Sequence, residues 1–82
     1  MEGKPTHQAL RAAAMAIDHL ARGDGAAAAE AVSRGYQLIA VPVPAGDVLA
    51  RLRVLVDTVY DADDGEAVYA AEVRARLEEK LG

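Results

Sequence analysis

The sequence contains no cysteine, tryptophan, phenylalanine or asparagine, and only one serine and two histidines occur among its 82 residues. So few serine and histidine side chains leave little for nucleophilic or acid–base catalysis, and no P-loop, dinucleotide-binding or zinc motif is present. We therefore expect a protein that is not an enzyme and that has no cofactor or metal site. The absence of cysteine also means that no disulfide can reinforce a small core.

Long apolar runs are missing as well, because no stretch reaches the roughly 20 apolar residues that a membrane-spanning helix needs. The first residues lead directly into a helical pattern, without the apolar segment of a signal peptide. A chain without cysteine fits a reducing compartment. These observations predict a cytoplasmic protein with no membrane partner.

Alanine dominates what is present, with 19 copies, so the 52% of hydrophobic residues include few large side chains. Burial of apolar surface stabilises a fold by roughly 25 cal/mol per Å², and each alanine offers little surface to bury. Small domains also bury the smallest fraction of their surface. We expect a single domain over residues 1–82 that is marginally stable alone or gains burial as a homo-oligomer, with a dimer as the first expectation.

Apolar residues recur at three- and four-residue steps along most of the chain, which indicates amphipathic helices. The pattern predicts an all-α fold of four short helices in two αα-hairpins, a small antiparallel helical bundle. The predicted helices span residues 6–22, 25–40, 47–60 and 65–81, and prolines stiffen the linker over 41–46. A short edge strand over 38–43 is the alternative, although no second strand is available to pair with it.

Several residues indicate where the helices begin and end. Thr6, Asp24 and Asp47 are predicted N-caps, because their side-chain oxygens can accept hydrogen bonds from free amides of the first turn. Gly23 is expected to end the first helix in a left-handed conformation. Gly35 lies inside the second helix at a cost of about 1 kcal/mol relative to alanine, and close approach of another backbone would explain its presence.

The stretch over residues 12–42 resembles one tetratricopeptide-like unit. Small residues stand at Ala16 and Ala28, where such units have them, and a Gly-Asp turn begins at Gly23. The aromatic positions of the family are missing, and the second half of the chain does not repeat the pattern, whereas three or more repeats are normally needed for a stable stack. The resemblance covers less than half of the chain and assigns no family.

The net charge of −4 is unevenly distributed, because nine of the 13 acidic groups lie in the second half of the chain. Asp61, Asp63 and Asp64 belong to an acidic segment over residues 57–66. This segment is predicted to attract a basic protein partner, with a solvated turn as the alternative. No basic stripe is present that could follow a phosphate backbone, so we do not expect nucleic acid as a partner.

The three tyrosines are the only aromatic residues, and each lies near a helix edge beside apolar neighbours. Tyrosine is favoured where one end of the side chain is buried and the other is wet, as at interfaces. Tyr36, Tyr60 and Tyr69 are therefore predicted to bind a partner, with packing at the edge of the core as the alternative. The alanine-rich face of the second helix is a candidate surface for self-association because it permits close helix approach, and Val73 and Leu77 mark a second candidate face on the fourth helix.

These features favour a small helical protein–protein interaction or structural module that self-associates through an Ala/Val/Leu helix face. The alternative is a small transcriptional regulator or antitoxin-like protein that acts through a protein partner. Salt-dependent retention on DNA would favour the regulator, whereas a concentration-dependent melting temperature would favour the self-associating module.

Overall fold

The computed structural model describes residues 4–62 and 67–81, and it confirms the predicted all-α fold. The helices in chain order are α1 (Pro5–Ala21), α2 (Gly25–Leu38), α3 (Val48–Ala62) and α4 (Ala67–Leu81). No β-strand occurs within these described ranges, so the alternative of a strand over 38–43 is wrong. The helical pattern of α2 continues to Leu38, and the proline-containing linker that follows is irregular.

The centre of the bundle is formed by α1 and α3, because each of them contacts the other three helices. The most extensive packing is between α1 and α2, as expected for a hairpin with a short turn. α4 packs more extensively on α1 than on α3, its neighbour in sequence, and no Cα atom of α2 lies within 8 Å of a Cα atom in the described part of α4. The turn between α3 and α4 lies outside the described residues.

The core contains apolar residues from all four helices, and no polar or charged residue is buried within the described ranges. Its largest fully buried side chains are Leu10, Ile17, Val32, Tyr36, Leu52, Leu55 and Val56. Alanines of α1 lie between them, and Ala9, Ala13 and Ala16 are completely covered. Full burial of a large aliphatic side chain is worth about 1.5–3 kcal/mol. Much of the stability therefore depends on a few residues.

Two of the three predicted N-caps are confirmed. The Asp24 carboxylate accepts a hydrogen bond from the Ala27 amide at 3.2 Å, and the Asp47 carboxylate accepts one from the Ala50 amide at 2.8 Å. The third prediction is wrong, because α1 begins one residue before Thr6 and its N-cap is Lys4, which makes no capping side-chain bond. Proline is preorganised for the first helical position, where its missing N–H costs nothing, so Pro5 starts the helix instead.

The C-terminal ends of α1 and α2 use the same backbone arrangement with different residues. Gly23 is left-handed after α1, with φ of 83°, as predicted, and its amide and that of Asp24 bond back to the last turn. After α2 the same pair of bonds comes from Ala40 and Val41, and Ala40 is left-handed with φ of 57°. Both ends are Schellman motifs, which normally place glycine at the left-handed position.

Gly35 lies where α2 approaches the core, but its closest neighbour is a side chain and not a second backbone. A Cβ atom added at Gly35 would lie 2.6 Å from Leu55 Cδ2 on α3 and 3.6 Å from the Ala9 carbonyl oxygen on α1. A distance of 2.6 Å is too short for two carbon atoms, so Leu55 occupies the space that a larger residue would need. Glycine at this position therefore lets α3 pack closely against α2.

Candidate interaction surface

The structure places Tyr36 in the core, with its side chain 0% exposed. Its hydroxyl donates a hydrogen bond to the Arg51 carbonyl oxygen at 2.7 Å, so it connects α2 to α3. Arg51 Nε in turn donates to the Pro44 carbonyl oxygen at 3.0 Å and holds the linker against α3. Burial raises the pKa of the Tyr36 hydroxyl, and the positive charge of Arg51 opposes this shift. In this fold Tyr36 is not presented to a partner.

Val73 and Leu77, the candidate face on α4, are also buried in the core. They point inward because α4 packs on α1 and α3 through an apolar row with three- and four-residue spacing. This row consists of Ala70, Val73 and Leu77. Neither side chain is available to a second protein while the bundle is folded.

Tyr60 and Tyr69 are half-buried and lie at the edge of the core. The Arg74 guanidinium carbon is 5.3 Å from the centre of the Tyr60 ring. The same arginine approaches the Asp57 carboxylate at 3.8 Å, an exposed ion pair of the kind that contributes little stability. The Tyr69 ring contacts the His7 ring, with centroids 5.0 Å apart. Both tyrosines therefore make contacts between helices within the domain.

The acidic residues predicted to attract a partner fall mostly outside the described part of the structure. Asp61 belongs to the last turn of α3, but its side chain, Asp63 and Asp64 are not described. Among the described residues, no group of three or more histidine, aspartate or glutamate side chains could hold a metal ion.

The residue missing from the predicted set is Met15, which is 57% exposed on α1. It lies beside a groove of about 160 Å³ between α1 and α2, lined by Ala12, Met15, His19, Ala27, Glu30, Ala31 and Arg34. We call this surface the hairpin groove. The three alanines are buried or half-buried and form its base, whereas Met15, Glu30 and Arg34 are exposed around it.

The hairpin groove follows from the sequence through helical geometry. Met15 is two residues from both Ala13 and Ile17, which places it roughly 160° around the helix axis from these buried positions. A large apolar side chain opposite the core stripe was the signal that could have identified this face. The small side chains of Ala12, Ala27 and Ala31 leave a depression between the helices, since none of them extends beyond its Cβ atom.

The rim of the hairpin groove carries opposite charges. Glu30 and Arg34 are one turn apart on α2, and both are exposed. Within residues 4–62 and 67–81, neither Glu30 nor Arg34 makes an ion pair. A second depression along the hairpin is lined by Gln8, Arg11, Ala12, Met15, Arg34 and Leu38. Met15 and Arg34 thus belong to two adjoining parts of one face.

No helix in the described part of the chain combines the length and the apolar character that crossing a membrane requires. No protein-family model matches the sequence, tetratricopeptide repeats included, and comparisons with curated proteins and with solved structures give no significant match.

Proposed function

We propose that this protein is a small helical interaction module that self-associates through the hairpin groove. The observation that carries the proposal is the exposure of Met15 beside a base of alanines, on the side of the hairpin that faces away from α3 and α4. Val73 and Leu77 of α4 are used inside the domain, although Val68 on the same helix is 77% exposed. The α1–α2 face differs because its exposed Met15 lies beside a concave surface with a base of alanines.

The dimensions of this face predict a weak, reversible dimer. α2 has 14 residues, which at 1.5 Å per residue gives a length of about 21 Å, and two adjacent helices are about 20 Å wide. The flat area is therefore about 400 Å² per copy, below the roughly 800 Å² per partner of a standard stable interface. We expect a dissociation constant of roughly 100 μM, because association must also overcome the loss of translational and rotational freedom.

Thermal melts at two protein concentrations test this proposal, because a dimer that forms only from folded chains raises the melting temperature as concentration increases. Between about 20 μM and 1 mM we expect a rise of about 5 °C for the wild-type chain. Met15→Glu should remove this rise, because it places a charge at the centre of the interface.

Val54→Glu is the matched control, since Val54 is also an exposed apolar residue, 45% exposed, but lies on α3. It should leave the rise unchanged. An unchanged rise in Met15→Glu would place the interface outside the hairpin groove, and equal loss in both variants would contradict a specific role of the groove. A wild-type melting temperature independent of concentration would refute self-association. Salt-dependent retention on DNA would instead support the regulator alternative.

A further inference from the structure

We infer that the partner at the hairpin groove is a second copy of this chain, antiparallel to the first, with Glu30 facing the partner's Arg34 and Arg34 facing the partner's Glu30. The inference rests on the proposed function and adds the symmetry and the pairing to it. It is drawn from the order of charges along α2 and from the place of Met15 in the same groove.

A two-fold dimer requires a surface that is complementary to itself. The hairpin groove meets this condition, because an exposed apolar side chain, a base of small residues and one charge of each sign line the same depression. A surface with charges of a single sign would repel its own copy. Here each copy offers one anionic side chain, Glu30, and one cationic side chain, Arg34.

The order of the charges selects one orientation. If the two α2 helices ran parallel across the axis, Glu30 would face the partner's Glu30 and Arg34 would face the partner's Arg34, and both contacts would be repulsive. In the antiparallel orientation, an axis at the level of Val32 brings each Glu30 opposite an arginine. Two attractive pairs replace two repulsive ones, and both charges are free of other ion pairs within the described residues.

The same axis accounts for Met15. Since Met15 lines the groove together with Glu30 and Arg34, an axis midway between the two charged residues passes close to it. Each Met15 then packs against the partner's Met15 above the alanine base, with one charge pair on either side. An apolar centre with a charged rim is the usual arrangement of a specific protein interface.

Charge reversal with mixing tests this arrangement. Glu30→Arg and Arg34→Glu should each weaken self-association about tenfold at low salt, because like charges then meet across the axis. An equimolar mixture of the two variants should form a heterodimer at least as tight as the wild-type dimer, since both contacts become attractive. The double variant Glu30→Arg/Arg34→Glu should restore the homodimer. Sedimentation equilibrium measures all four samples.

Two controls separate this pairing from other effects. Glu72→Arg reverses an exposed charge on α4 and should leave association unchanged. Glu30→Gln and Arg34→Gln, which disturb the α2 helix less, should each weaken association, and their mixture should recover only part of it, because the heterodimer retains one of the two Glu30–Arg34 pairs. Circular dichroism of dilute samples verifies that every variant is folded.

The failures are distinguishable. If the wild-type chain and Val54→Glu dimerise, Met15→Glu does not, and the charge-reversed mixture stays as weak as its components, the antiparallel pairing is refuted while the proposed function stands. A monomeric wild-type chain at all concentrations overturns both.

Discussion

At the residue scale, Tyr36 joins three parts of the chain that are distant in sequence. It belongs to α2, its hydroxyl bonds the backbone of Arg51 on α3, and the Arg51 side chain bonds the backbone of Pro44 in the linker. A buried hydroxyl without a partner would cost stability, so this bond is what makes a tyrosine acceptable in the core. The surrounding sequence predicts that Tyr36 lies at the edge of a helix. It does not predict that α3 packs over this edge and buries the side chain, because that depends on a distant part of the chain.

Tyr36→Phe should lower the free energy of unfolding by about 1 kcal/mol, because the Arg51 carbonyl loses its donor while the ring remains buried. Urea unfolding monitored by circular dichroism measures this change. Tyr60→Phe is the control, because Tyr60 is half-buried and its hydroxyl makes no hydrogen bond within the part of the chain that the structure describes; it should change stability by less. A cost for Tyr36→Phe no larger than that for Tyr60→Phe would contradict the role assigned to the bond.

The same hydroxyl should make stability dependent on alkaline pH. Burial raises the pKa of Tyr36 in the folded state above its ordinary value of 10.0, so the unfolded chain releases this proton first. The contribution to stability is complete below pH 10.0 and is lost as pH rises from there through the folded pKa. Urea unfolding at pH 8 and at about pH 11 should therefore show a larger loss for wild type than for Tyr36→Phe. Equal losses would contradict the shift.

At the scale of the helices, the two Schellman motifs form a natural comparison. Gly23 adopts its left-handed conformation freely, whereas Ala40 adopts the same region against the steric preference of its Cβ atom, at a cost of roughly 1–2 kcal/mol. The predicted second helix ran to residue 40 because apolar residues continue at helical spacing to Ile39 and the Pro-containing linker from Val41 was expected to stop it. In the structure the helix ends at Leu38, and Ala40 turns the chain toward the linker.

Ala40→Gly should raise the free energy of unfolding by about 0.5–1 kcal/mol, since strain is relieved at an exposed position while the unfolded chain gains some entropy. Gly23→Ala should lower it by about 1 kcal/mol, because nothing lies within 4 Å of the added Cβ atom and only the conformational strain changes. Urea unfolding compares both variants with wild type. Changes of the same sign would contradict the assignment of strain to Ala40.

The local signals in this sequence predicted the helices well for a physical reason. Asp24 and Asp47 each bond an amide three residues further along the chain, and Gly23 acts within its own turn. The residues that determine these helix ends are therefore close together in the sequence. The contacts between helices were predicted less well. Gly35 was predicted to allow the close approach of another backbone, but its nearest neighbour is the Leu55 side chain of α3. In addition, α4 packs mainly on α1 and not on its sequence neighbour α3. Such pairings depend on how all four helices fit together.

At the scale of the whole molecule, an alanine-rich chain of 82 residues closes its core with few large side chains and still leaves Met15 exposed beside the hairpin groove. The sequence predicted a shared helical face, and its candidates were the α2 face and a row on α4. The α4 row is buried inside the domain. The Met15 face was not predicted, although the helical spacing from Ala13 and Ile17 places Met15 opposite the core stripe of α1.

Sedimentation equilibrium of the wild-type chain from about 10 μM to 1 mM, beside Met15→Glu, tests self-association through the hairpin groove most directly. The account predicts a wild-type average mass that rises with concentration from 8.6 kDa toward twice that value, while Met15→Glu stays at 8.6 kDa. A wild-type mass of 8.6 kDa throughout, or equal association by both chains, would contradict it.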